Sequence, residues 1–302
     1  MKHILTTGCS FTNNNRFNPK NPFNHGGPDR YSWPYYLQKE LGEEYKVYNL
    51  GNATNDNVSM CRVIFYWIHK LIQQGVETSD IKVIIQWSDP NRENIYIDDV
   101  DSKKMIEEPH TFIYWDKYED ERGIFYLTGG FSPPDDSLQE LGIFNAVRYW
   151  ETEVNWNNIL NQVHHWLESW SHLVMFMDRM DIQHNYMSMR NPYSDEAREV
   201  LFGAPENDSD VPTETIWFKN HEILKPYLYE LPIHKRKHWH YKNYNGLLEW
   251  TIDNCGDTPP FQESDKTYDE YFKETQNGWG HPSPKMMERF VKEELLNVLM
   301  YE

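Results

Sequence analysis

The chain has 302 residues, 39% of them hydrophobic and 25% charged, which is the profile of a globular chain holding one large domain or two small ones. Lys and Arg total 29 against 47 Asp and Glu, a formal charge of -18 that repels phosphate backbones and argues against nucleic acid as a partner. No run nears the roughly 18 apolar residues that a membrane span needs, and Cys9, Cys61 and Cys255 show no CxxC spacing, so a reducing compartment is expected rather than a disulfide framework or a Cys-based zinc site.

In chain order, HILTT reads as a short strand ending in a Gly, followed by a long Asn-, Pro- and Gly-rich loop. Lys2 ahead of ILTTGC resembles a lipoprotein cleavage site, but the apolar part is far short of the roughly 7 to 15 residues of a signal core, so no signal peptide is expected. SWPYYLQKELG predicts a helix that starts at Ser32, tolerates Pro34 in its first turn, carries Trp33, Tyr36, Leu37 and Leu41 on one face, and stops at Gly42. YKVYNLG is a second strand. NVSMCRVIFYWIHKLIQQG is a second helix with Val58, Cys61, Phe65, Ile68 and Ile72 as its stripe and Gly75 as its end. IKVIIQW, residues 81 to 87, has the mostly apolar run of a central parallel strand.

The alternation of strand and helix over the first ninety residues predicts an α/β fold with a central parallel sheet and right-handed crossovers. Residues 89–135 break the rhythm with patches such as FIYW and GIFYL and read as a hairpin insertion. From Ser137 to about Met180 the pattern is helical, with Ile159, Val163, Trp166, Leu167, Trp170 and Leu173 near a 3.6-residue period, and DIQHNYMSM after it is another strand. Residues 190–265, polar and punctuated by Pro, read as a second insertion or cap with short helices, and the whole chain, 1–302, as a single domain. At the end, Ser283 is an N-cap with Pro284 at the first helical position, and Met287, Phe290, Val291, Leu295 and Val298 make the buried stripe.

Ligands of open α/β sheets bind outside the carboxyl ends of the strands. Ser10 follows the first strand there, Gly51 the second, and Trp87 to Arg92, WSDPNR, the third. A Ser needs a neighbouring base to become a nucleophile, and backbone N–H groups in tight Gly-containing turns stabilise the oxyanion that its attack creates. His281, just ahead of the last helix, is the candidate base. The run HKRKHWH sets His234 and His238 at i,i+4 spacing with no acidic or Cys ligand beside them, so a solvated basic loop is expected and no metal. HGG at 25–27 follows no strand and no GxGxxG run is present, so no cofactor is expected.

GCSFT resembles the GxSxT form of the first block of the SGNH (GDSL-type) hydrolase superfamily. NLGNATND is similar to its second block, and HPSPKMMERFV to its last. The order GCSFT, SWPYYL, NLGNATND, QWSDPNR looks in particular like SGNH-like proteins of bacteriophages. The resemblance covers residues 1–92, 155–189 and 277–300. It implies a three-layer, flavodoxin-like sandwich with two insertions, and a serine esterase acting on a small-molecule or carbohydrate ester, an acetylated sugar above all.

On the same footing Ser10 is the nucleophile, His281 the general base, and the N–H groups of Ser10 and Gly51 oxyanion donors. Two positions depart from the family pattern. Asp89 stands where an oxyanion-donating Asn is usual, leaving Ser88 or Asn91 to substitute, and Gly278 stands where an orienting Asp usually precedes the His. Cys9, Asn55, Trp87, Arg92 and Trp279 are expected around the substrate pocket; for Asn55 a helix cap is the competing reading. The alternative from a different class is a phage virion or accessory protein that keeps the scaffold as a binding or assembly module with protein partners. Either reading expects the chain in the host cytoplasm or a virion.

Overall fold

The computed structural model describes residues 1–9, 11–12, 32–51, 55–88, 93–98, 123–128, 159–189, 238–239, 246–258, 260 and 281–297. The strands are β1 (Lys2–Thr7), β2 (Tyr45–Asn49), β3 (Ile81–Trp87), β4 (Glu93–Asp98), β5 (Gly123–Thr128), β6 (Gln183–Ser188) and β7 (His238–Trp239). The helices are α1 (Trp33–Leu41), α2 (Asn57–Gln73), α3 (Ile159–Arg179), α4 (Leu247–Asn254) and α5 (Pro284–Phe290), the last running on through a π-helical turn at Val291–Leu295.

Five strands form one parallel sheet in the order β2-β1-β3-β6-β7. The fold is therefore α/β, as the alternation of apolar runs predicts. The chain passes from β1 outward to β2 and then back across β1 to β3, so the direction of winding reverses at β1. At such a reversal the crossover segments diverge and leave a crevice at the carboxyl ends of the strands. The strands end there at Thr7, Asn49, Trp87 and Ser188.

The hairpin expected within residues 89–135 is present as β4 paired antiparallel with β5, a separate two-stranded sheet. GIFYL supplies β5, but its partner is Glu93–Asp98; FIYW lies outside the described residues. The span 190–265, read as an insertion or cap, reaches the body of the fold through its described residues. It supplies β7 to the main sheet, and Leu247, Leu248 and Trp250 of α4 are buried in the common core. A two-residue strand and an eight-residue helix carry too few residues for their periodicity to stand out in a polar segment.

Local signals explain most boundaries. Helix α1 has Pro in its first turn and ends at Gly42 with φ 67°, and α5 has the expected Ser283 cap, whose Oγ accepts the Met286 N–H at 3.4 Å. In α2 the buried face is wider than the expected stripe: Met60, Cys61, Val63, Ile64, Ile68 and Leu71 are buried, whereas Val58, Phe65 and Ile72 sit at its margin. The helix packs against both the sheet and α3, with Phe65 meeting Phe176 at 5.1 Å between ring centroids, and two partners require a broader apolar face than one. Of the helical pattern from Ser137 onward, α3 is described; residues 137–158 lie outside the described residues. Among the described residues no helix is long and apolar enough to cross a membrane.

Candidate functional site

The turn after β1 is built around Thr12. Its backbone N–H donates to the Cys9 carbonyl at 3.0 Å. Its hydroxyl donates to Gln86 Oε1 at 2.7 Å and accepts from Trp33 Nε1 at 3.2 Å. Its carbonyl accepts from Ser32 Oγ and from Asn49 Nδ2, each at 2.6 Å. A fully buried hydroxyl needs such partners, because an unmade bond there costs about 1–3 kcal/mol.

Two glycines make room for it. A Cβ on Gly51 would stand 2.7 Å from Thr12 Cβ and Cγ2, and one on Gly8 would collide with Thr12 Oγ1 and lie 3.1 Å from Gln86 Cβ. Gly8 and Gly51, the glycines of GCSFT and NLG, are thus the two sides of a slot that holds the Thr of GCSFT.

Asparagine amides fasten the strand exits. Asn49, at the end of β2, donates to Thr12 O and accepts the Gly51 N–H at 3.0 Å through Oδ1. Asn57, the first residue of α2, accepts the Ser88 N–H at 2.8 Å and donates to the Ser88 carbonyl at 3.2 Å, which locks the end of β3 to the start of α2. The N-cap of α2 is Asp56, which accepts the Ser59 N–H at 2.8 Å; Asn55, fully buried just before it, is not the cap. Burial raises the Asp56 carboxyl above the usual carboxylate range, against its bonds to Ser59 and the nearby Arg62 charge. Burial likewise raises the Cys61 thiol, ruling it out as a ready nucleophile.

His281 is half-buried, and its ring packs on Phe11 with 5.1 Å between centroids and the planes tilted by 59°. The contact joins the start of the last helix to the turn after β1. Pro282 and Ser283 behind it are buried, and Ser283 N–H donates to the Pro260 carbonyl at 2.8 Å, which anchors the approach to α5.

Ser10, Asn91, Arg92 and Trp279 lie outside the described residues, as do Asp89 and Gly278. Of the others, Cys9, Gly51, Ser88, Asn55 and His281 gather on the carboxyl edge, but their side chains are not all aimed into a pocket. Cys9 is buried with Sγ 3.0 Å from Met189 Sδ. Trp87, expected at the pocket, is instead core: its ring stacks on Tyr186 at 5.7 Å and meets Trp170 at 5.0 Å and Trp166 at 5.4 Å. It is still paired within the ladder, opposite Ser188, so its side chain lies beneath the edge rather than on it. The Gly51 N–H, expected to face an oxyanion, is bonded to Asn49. Ser88 is fully buried, and its hydroxyl has no partner among the described residues.

Motif reading passed over Thr12, Ser32, Asn49, Gln86 and Asn57, which build the edge. Thr12 and the asparagines stand inside GCSFT and NLGNATNDN, but short polar residues after a strand read first as turn and cap formers. Among the described residues no group of three or more His, Cys, Asp or Glu could hold a metal ion.

The fold and its edge define an α/β protein with a candidate site at the carboxyl ends of β1, β2 and β3. Comparison with family models, curated proteins and solved structures found no match to this chain.

Proposed function

We propose that the protein is a serine ester hydrolase on an SGNH-like, three-layer scaffold, with Ser10 as nucleophile and His281 as general base. The observation that carries the reading is the contact of the His281 ring with Phe11, the covalent neighbour of Ser10. Consecutive Cα atoms are about 3.8 Å apart, so this contact brings the imidazole to the segment that bears the Ser. The sheet order supports the scaffold: counting the parallel strands alone it is 2-1-3-4-5, the flavodoxin-like winding. Successive residues of β3 support the layers, since Trp87 meets α3 while Gln86 reaches Thr12 beside α1.

In the reaction, the Ser10 hydroxyl gives its proton to His281 as Oγ attacks the ester carbonyl carbon. The resulting oxyanion is met by the Ser10 N–H. Collapse expels the alcohol, which takes the proton from His281, and water then hydrolyses the acyl-enzyme by the same base. Acetylated carbohydrate is the substrate class that the family resemblance and the 15% aromatic content suggest. Host cytoplasm or virion is the corresponding location.

The second reading is a phage virion or accessory protein with a reduced site, and three features favour it. The Gly51 N–H is committed to Asn49, and Asp89 and Gly278 stand where the family has donor and orienting groups. Losing one oxyanion donor costs about 10²- to 10³-fold in rate. Labelling with a serine-directed fluorophosphonate, parent against Ser10→Ala, separates the two. Labelling that vanishes in the variant is the expected result; equal labelling together with no ester turnover leaves the scaffold reading.

A further inference from the structure

The Asn49 side chain, on the carboxyl edge, is bonded at both ends of its planar amide. Asn49 Nδ2 donates to the Thr12 carbonyl at 2.6 Å and approaches Ser32 Oγ at 3.4 Å, while Oδ1 accepts the Gly51 N–H at 3.0 Å. The Oδ1 bond is local, two residues along, and shapes the exit of β2. The Nδ2 bond is different in kind, because it ties that exit to the turn after β1, a segment remote in sequence. The Thr12 carbonyl also accepts from Ser32 Oγ at 2.6 Å, so both of its lone pairs are engaged. The turn from Cys9 to Thr12 is thereby held at the Cys9 carbonyl by Thr12 N–H and at the Thr12 carbonyl by Asn49 and Ser32.

We infer that Asn49 is the positioning residue of the Ser10 turn, acting on the nucleophile through the Thr12 carbonyl. The inference rests on the assignment of Ser10 as nucleophile. Asparagine alone among residues of this size presents a donor and an acceptor in one rigid plane without charge. An ionised Asp would set a carboxylate oxygen against the Thr12 carbonyl with no proton between them, two acceptors at a hydrogen-bonding separation. A protonated Asp would restore the donor. Asn49→Asp therefore turns the tether into one that titrates.

The test is the rate of fluorophosphonate labelling at Ser10 in the full chain, parent against Asn49→Asp, from about pH 5.5 to about pH 8.5. Circular dichroism and an unfolding midpoint are measured at each pH. The variant is expected to label about 10²-fold more slowly than the parent at the alkaline end, where the introduced carboxyl is ionised, with the ratio recovering toward the acid end while the variant remains folded. Asn49→Ala, which removes the tether without adding a charge, is expected to slow labelling about tenfold with no pH trend in the ratio. A ratio near one at every pH in both folded variants overturns the inference and leaves Ser10 as nucleophile. If Asn49→Asp does not fold, Asn49→Ala decides, and an unchanged rate there overturns it equally. A parent protein that does not label removes the hydrolase reading, and the inference with it.

Discussion

Gln86 and Trp87 are neighbours on β3, and both are fully buried, yet they meet opposite chemistries. Alternation along a strand sends one to each face. Trp87 enters a cluster of Trp166, Trp170 and Tyr186 held by area and ring geometry, with the Trp87 and Tyr186 planes only 8° apart. Gln86 accepts from the Thr12 hydroxyl and belongs to a network that binds the β1 turn to α1 and β2. The aromatic side tolerates a change of shape in proportion to the volume lost. The polar side responds to single atoms, because removing one hydrogen-bonding atom leaves its buried partner unsatisfied.

Three substitutions probe that contrast, beginning with the largest. Trp87→Ala should cost about 3–5 kcal/mol in chemical unfolding, the range for deleting a buried aromatic, with Trp87→Phe recovering part of it. A loss near zero would mean that the cluster is not a core.

Gly51→Ala should cost about 1–3 kcal/mol by pressing a Cβ onto Thr12. Thr12→Ser removes Cγ2, one of the atoms 2.7 Å from that Cβ, and keeps the hydroxyl. The double variant should therefore be more stable than the sum of the single changes by about 0.5 kcal/mol or more. Strict additivity would show that the slot is loose and that Gly51 serves some other end.

Asp56→Asn has the smallest effect, and its sign depends on pH. Burial raises the folded-state pKa of Asp56, so the native state holds the proton more tightly than the unfolded chain does. The stability this contributes is fully present below the unfolded carboxylate pKa and is lost as pH rises through the raised folded value. Asn caps a helix as well as Asp and does not ionise. Unfolding curves of the two proteins should thus diverge as pH rises, with the Asn variant the more stable at neutral pH. A gap that closes or reverses with rising pH would show that the charged carboxylate is favoured there by the start of α2.

Much of the frame was legible in the residues. Runs such as IKVIIQW and the capped WPYYLQKEL carry their structure locally, and β1, α1, β2, α2 and β3 follow in the order that their apolar patterns predict. The contribution of 190–265 to the sheet was not legible, because β7 has only His238 and Trp239 in the ladder. The site was legible as a set of segments and not as a set of side-chain directions. GCSFT, NLG and HPSP meet at one edge, yet Trp87 turns into the core and the Gly51 N–H turns to Asn49. Nothing in the local pattern distinguishes Asn49, which bonds across to Thr12, from an Asn that only shapes its own turn.

By itself the sequence determined the class of fold, the order of the first five elements and the helix start at Ser283, since periodicity and capping act within a few residues. Tertiary structure alone decided that Thr12 would be the centre of the edge, that Gln86 and Trp87 would serve different faces, and that His281 would rest on Phe11. Each of those outcomes is a contact between segments remote in the chain. Its free energy exists only once the sheet has brought the partners within hydrogen-bonding or packing distance, so no local run of residues can record it.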